Sequence, residues 1–244
     1  MKLTDFLFAP KAKCAGCGSL MGADKDWLCA DCHAKLHPLY LDRQSSSVIC
    51  AHCGTVYYGG GFCTGCRRKN VRLLRAPAAY TYDETVRGII HAFKFGGVYR
   101  MAKWMAGEMV KALHTEEMTG FDLIIAVPLH YTRRFARGYN QSEKLARQVS
   151  LQTGINMGYL LKRTRATKQQ SLLSDKQRRV NLDNAFAVTG DVKGKKILLI
   201  DDVRTTGTTV VKCAEALFSA GVGEVTVLTF AQAVPQAGTR KENR

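Results

Sequence analysis

The run Ile197-Leu198-Leu199-Ile200-Asp201-Asp202-Val203-Arg204-Thr205-Thr206-Gly207-Thr208-Thr209 combines groups suited to different parts of a phosphorylated sugar. Its apolar start predicts a buried strand that delivers two adjacent carboxylates to a sheet edge. There they can accept hydrogen bonds from vicinal hydroxyls or help hold a hydrated Mg²⁺. Thr205, Thr206, Gly207, Thr208 and Thr209 then set hydroxyls and backbone N–H groups at a helix N-terminus, where unpaired donors and the helix dipole favour a dianionic phosphate. The plainer alternative, Asp201 and Asp202 as helix caps beside ordinary turn threonines, needs all these positions to coincide. No G-x-x-x-x-G-K-[ST] loop occurs, and no G-x-G-x-x-G opens a helix after a strand, so neither a P-loop nor a dinucleotide site is indicated.

A second chemistry is written in cysteine. Eight of the nine cysteines precede residue 67 and form four C-x-x-C pairs, Cys14/Cys17, Cys29/Cys32, Cys50/Cys53 and Cys63/Cys66. Two residues between thiolates let both sulfurs face one ion, and two such knuckles complete the tetrahedral sulfur shell that suits Zn²⁺. Four pairs imply two ions, structural because a four-cysteine shell has no open position. Sequential pairing leaves gaps of 11 and 9 residues and makes two consecutive zinc ribbons; interleaved pairing stays open. A disulfide framework would call for an export signal, which Met1 to Lys13 does not resemble, and thioredoxin-like chemistry would need only one pair. His33, His37 and His52 are expected to be surface residues rather than ligands.

Periodicity supplies the elements that position these groups. The chain of 244 residues is 46% apolar and 23% charged, a globular composition. The cysteine pairs end at Cys66 and strand and helix periods begin near residue 75, which divides the chain into a cysteine-rich unit, 1–75, and an α/β unit, 76–244. In the second unit the pattern predicts a strand at 78–82, helices at 84–95 and 101–113, and a strand at 121–127. A helix at 140–153 follows, opened by Asn140 and Glu143 and closed by Gly154, then a strand at 195–200, a helix at 208–220 and a strand at 224–231. Alternating strands and helices predict a doubly wound, mainly parallel sheet with helices on both faces. No run is long and apolar enough to span a membrane, and a cytoplasmic protein is expected.

The net charge of +16 is concentrated, with twelve Lys or Arg against two acids between Tyr131 and Asn181. A solvated surface, a phosphate receptor and a nucleic-acid track all fit such a segment. Arg133, Arg134 and Arg137 interleave with Tyr131, Phe135 and Tyr139, the combination that stacks and neutralises single-stranded DNA.

The thirteen-residue run resembles the motif by which type I phosphoribosyltransferases bind phosphoribosyl pyrophosphate (PRPP). Val127-Pro128-Leu129-His130, Arg137-Gly138-Tyr139-Asn140-Gln141-Ser142 and Arg163-Thr164-Arg165-Ala166-Thr167 narrow the resemblance to the ComF family, over essentially the whole chain. Tyr139 stands where Phe is usual. The resemblance implies a type I phosphoribosyltransferase fold behind a double zinc ribbon, in proteins implicated in natural competence and the handling of transforming DNA. It implies that Thr205 to Thr209 take the 5′-phosphate, Asp201 and Asp202 the ribose hydroxyls, and Pro128, Leu129 and His130 the Mg²⁺-bound pyrophosphate. A flap from Thr164 to Asn181 would bring Lys168, Arg178 and Arg179 to the leaving group, and Lys94 matches a lysine that can reach the same site. A helix C-terminal charge is the other role for Lys94. Two functions follow: phosphoribosyl transfer to an unidentified acceptor, or a PRPP-sensing protein that binds single-stranded DNA. The zinc ribbons could also dock competence or DNA-processing proteins.

Overall fold

The structure is a computed structural model that describes residues 13–21, 27–42, 47–50, 56–58, 73–96, 99–129, 138–164 and 185–233. Before the α/β region lie helix α1 (Ala30–Ala34) and a 3-10 turn (Leu39–Asp42). Strands β1 (Ser47–Cys50), β2 (Val56–Tyr58) and β3 (Leu73–Arg75) follow. Then come β4 (Ala78–Thr81), α2 (Glu84–Phe95), α3 (Ala102–Thr115), β5 (Leu123–Ala126), α4 (Gln141–Thr153), β6 (Met157–Gly158), β7 (Leu161–Arg163) and β8 (Phe186–Val188). The last described elements are β9 (Lys196–Arg204), α5 (Thr208–Ser219) and β10 (Glu224–Gln232).

Among the described residues, the main sheet runs β2-β1-β3-β10-β9-β5-β6, and β4 also pairs with β10. The pairs around β10, β9, β5 and β6 are all parallel, whereas β1 is antiparallel to both β2 and β3. The division drawn at residue 75 therefore falls inside a continuous sheet, since β3 joins Ile49 on one side and β10 on the other. β7 and β8 form a separate antiparallel pair.

Side-chain alternation along the central strands feeds two cores. Leu198 and Ile200 of β9 pack with Ile89, Phe93, Met105 and Leu145 from α2, α3 and α4. Ile197 and Leu199 point the other way, to Val210, Val211, Cys213 and Leu217 of α5. The sheet thus has helices on both faces, as the alternating pattern predicts. Cys213 is buried in the second core, as its place on the apolar side of a helix predicts.

Two helices, α2 and α4, begin at a polar capping side chain. Asp83 caps α2 by accepting from the Val86 N–H at 2.8 Å. Asn140 caps α4, and Gly154 ends it in the left-handed conformation at φ 75°. Strands β1, β2, β3, β6, β7 and β8 are additions to the sequence pattern, and β9, expected to end at Ile200, is longer than predicted. It continues through both aspartates to Arg204 because the parallel ladder with β10 persists, Asp201 opposite Thr229 and Arg204 opposite Gln232. The apolar alternation stops before the backbone pairing does. No helix among the described residues is long and apolar enough to cross a membrane.

Candidate functional site

The carboxyl ends of β5 and β9 and the first turns of α4 and α5 enclose a cavity of about 210 Å³. Its location follows from parallel topology, in which loops at the strands' carboxyl ends are free to gather. Asp201, Asp202 and all of Thr205–Thr209 line it, with Pro128, Leu129 and Lys94. Residues predicted from three separate stretches of chain therefore meet in one place.

The two acids are held differently. Lys94 Nζ lies 2.8 Å from Asp202 Oδ2, and the Val203 N–H donates to Asp202 Oδ1 at 2.8 Å. Of the two roles open to Lys94, the structure puts its ammonium into the cavity against an acid. Asp201 Oδ1 accepts from Ser142 Oγ at 2.8 Å and from the Asp202 N–H at 2.9 Å. Burial, reinforced by the neighbouring Asp202 charge, pushes the Asp201 carboxyl up to about 7, against the opposing pull of Ser142 and Lys94.

The threonine loop turns into α5 through Gly207, whose φ of 72° puts it in the region that favours glycine. Gly207 is the N-cap and has no side chain to accept from the first-turn amides. Thr206 and Thr208 hydroxyls sit 2.9 Å apart. The result is a cavity wall of hydroxyl and amide donors at a positive helix end, chemistry able to hold an anion such as a phosphate.

Asn140, Gln141, Ser142 and Arg163 also line the cavity, and none of them carried a ligand-binding role in the sequence reading. Asn140 Nδ2 donates to the Val127 carbonyl at 3.1 Å, and its Oδ1 accepts from the Ser142 N–H at 3.1 Å, which ties α4 to the end of β5. The Asn140–Glu143 capping pattern marked this helix start. What it did not show is that the first turn faces Asp201, a contact across 59 residues. Arg163 sits with its guanidinium 5.6 Å from the centre of the Phe186 ring.

Tyr139, expected beside the DNA-binding arginines, packs edge-on to Phe93 with ring centres 6.3 Å apart. Its hydroxyl donates to the Phe93 carbonyl, one residue before Lys94. His130, Arg133, Arg134, Arg137, Lys168, Arg178 and Arg179 lie outside the described residues.

Cys14, Cys17, Cys29 and Cys32 come together with their sulfurs within 4.8 Å of one another, which groups the first knuckle with the second. The Cys17 and Cys29 sulfurs are 3.9 Å apart. A tetrahedron with metal–sulfur bonds of about 2.3 Å has edges of about 3.8 Å, so the spacing fits a metal ion. Hydrogen bonding by Ser19, whose Oγ is 2.9 Å from the sulfur, brings the exposed Cys17 thiol down to about 6. Cys50 is buried, and its expected partners Cys53, Cys63 and Cys66 lie outside the described residues.

Comparison with known proteins agrees with this geometry. The family model described as the phosphoribosyl transferase domain matches residues 96–243. "Competence protein F" of Haemophilus influenzae is 30% identical over 230 residues, 91% of this chain and 97% of that protein. "DNA utilization protein YhgH" of Escherichia coli O157:H7 is 32% identical over 190 residues, 75% of this chain and 84% of the relative. "Competence protein ComFC" of Streptococcus pneumoniae is 24% identical over 204 residues, 77% and 89%. The similarity extends well beyond the thirteen-residue run to the cysteine-bearing front, and on that extent the chain belongs to the ComF family of proteins with a phosphoribosyl transferase domain.

Proposed function

We propose that this protein binds PRPP with Mg²⁺ and serves in the handling of internalised DNA, transferring phosphoribose to an acceptor with release of pyrophosphate. The observation that carries the reading is the convergence of the Thr205–Thr209 loop with Asp201 and Asp202 in one cavity. The loop takes the 5′-phosphate and the two carboxylates take the ribose hydroxyls, while Pro128, Leu129 and His130 take the diphosphate. Mg²⁺ supplies charge neutralisation on that diphosphate when bound. Lys94 exchanges part of its ion pair for the ligand, and the flap residues Lys168, Arg178 and Arg179 bring further positive charge to the leaving oxygens. The acceptor's bond to the anomeric carbon forms as the carbon–oxygen bond to pyrophosphate breaks, so positioning and charge stabilisation carry the catalysis.

The cysteine-rich unit, 1–75, holds two structural zinc ions in this reading, one on Cys14, Cys17, Cys29 and Cys32 and one on Cys50, Cys53, Cys63 and Cys66. The remainder, 76–244, is the PRPP-binding unit.

The test is calorimetry with Mg·PRPP together with pyrophosphate release, beside a variant with Asp201→Ala and Asp202→Ala. Binding and release in the parent, both lost in the variant, are expected; no heat of binding in the parent removes the assignment. A second reading, a non-catalytic PRPP-sensing adaptor on single-stranded DNA, draws on the charge of the segment from Tyr131 to Asn181 and on the names of the relatives. It expects binding without pyrophosphate release, and an affinity for single strands that falls steeply with salt and less steeply once Arg133, Arg134 and Arg137 are replaced.

A further inference from the structure

The first turn of α4 opens on the same cavity as α5, and one of its side chains carries a buried donor with no partner among the described residues. Asn140 is engaged with Val127 and Ser142, and Ser142 with Asp201. Gln141, between them, is only 2% exposed, lines the cavity, and its Nε2 has no hydrogen-bond partner among the described residues. Buried amides are almost always paired, so an unpaired one at the wall of a cavity marks the place of an acceptor that arrives from outside.

We infer that Gln141 is a ligand-contacting residue whose Nε2 donates to an oxygen of the diphosphate, and that it separates PRPP from the simple sugar phosphate. The inference rests on the PRPP reading and deepens it. With the 5′-phosphate on the Thr205–Thr209 loop and the diol on Asp201 and Asp202, the acceptor oxygens left for the α4 side of the cavity are those of the diphosphate. The positive end of a 13-residue helix adds to the attraction there. A neutral carboxamide also suits this wall of the cavity, since it adds donors without adding a buried charge.

The experiment compares the parent with Gln141→Met, close in size but without donors, and with Gln141→Glu, which puts a carboxylate against the ligand. Calorimetry is run with Mg·PRPP, Mg·pyrophosphate and ribose 5-phosphate, and melting is followed with and without Mg·PRPP. Gln141→Met is expected to weaken PRPP and pyrophosphate by about tenfold and to leave ribose 5-phosphate within about twofold. Gln141→Glu is expected to weaken PRPP further. The ligand-free Gln141→Met protein is expected to melt at or above the parent's temperature, because a buried donor without a partner has been removed, while its rise in Tm with PRPP shrinks. A merely structural glutamine would give the opposite sign in the empty protein. If the parent binds PRPP and Gln141→Met binds it equally well, the role of Gln141 is wrong and the PRPP reading stands. Equal weakening of ribose 5-phosphate and PRPP also overturns the role, as a general packing effect. A parent that binds no PRPP defeats both.

Discussion

The carbonyl oxygen of Gly16 occupies the space in which a side chain on Gly88 would begin: a Cβ there would lie 1.9 Å from it. Gly16 belongs to the knuckle between Cys14 and Cys17, and Gly88 lies in the middle of α2. Cys14, Ala15 and Cys32 share a core with Val86, Ile89 and Phe93, so the cysteine cluster rests directly on the helix that carries Lys94 to the cavity. Gly88→Ala should therefore destabilise the protein by about 1–3 kcal/mol through overpacking, although alanine in a helix is ordinarily favoured over glycine by about 1 kcal/mol. Gly107 of α3 is the control, since its Cβ would meet only Gln152 Oε1 at 3.5 Å. Urea denaturation should show Gly107→Ala holding or gaining stability, and a Gly88→Ala protein as stable as the parent would deny the contact.

Lys94 and Asp202 should be worth more together than apart. Lys94→Met leaves a carboxylate of 7% side-chain exposure without its cation and is expected to cost about 3 kcal/mol, toward the lower end for a broken buried pair because Lys94 keeps some contact with water. Lys94→Met with Asp202→Asn should recover much of that loss. A double-mutant cycle measured by chemical denaturation checks it, and additive losses would show that the two groups do not interact.

The Asp201 carboxyl is expected to make stability fall as pH rises. Its folded-state value, pushed up to about 7 by burial and by Asp202, lies above the ordinary 3.8. The group's contribution is therefore fully present below about pH 4 and is lost as pH climbs through 7. Asp201→Asn should raise the melting temperature of the empty protein at pH 8 more than at pH 5, by roughly 2–4 °C for each kcal/mol relieved. The same rise in pH should strengthen PRPP binding in the parent, because the ionised carboxylate is the better acceptor for hydroxyls. A melting difference independent of pH would place the titration elsewhere.

Glu108 should show the opposite pH dependence. Burial works against its charge, but Lys111 Nζ at 2.8 Å and the Tyr80 and Tyr40 hydroxyls, each at 2.7 Å, outweigh it and hold the carboxyl below the usual range. Its stabilisation is present above about pH 4.5 and fades as pH falls further. Tyr40 precedes the sheet and Glu108 lies on α3, so Tyr40→Phe removes a charge-assisted bond that ties the front of the chain to the α/β region, at a cost of about 1.5–3 kcal/mol. Thermal melts of Tyr40→Phe and Glu108→Gln across pH 3–8 test this, with convergence of all three proteins at the acid end expected.

Metal content distinguishes the cysteine sites. Elemental analysis of reduced protein is expected to give two zinc ions per chain, and Cys17→Ser or Cys29→Ser one. Because the cluster packs against α2, loss of that ion should also lower the melting temperature of the α/β region. An ion count of two in Cys17→Ser would remove Cys17 from the set.

By itself the sequence determined the local elements and the chemical inventory. The apolar spacing of Val86, Ile89, Ile90 and Phe93 fits the helix predicted over 84–95, Asn140 and Gly154 marked the ends of α4, and Ile197–Thr209 set out a strand, two acids and a threonine–glycine turn. These are short-range signals, written in residues a few positions apart. Tertiary structure alone decided that Ser142 would hold Asp201, that Lys94 would face Asp202 rather than solvent, that β9 would run on to Arg204, and that Gly16 would press on Gly88. Each of these depends on which strands become neighbours in a parallel sheet, and parallel neighbours are joined through long crossovers whose contacts have no period along the chain.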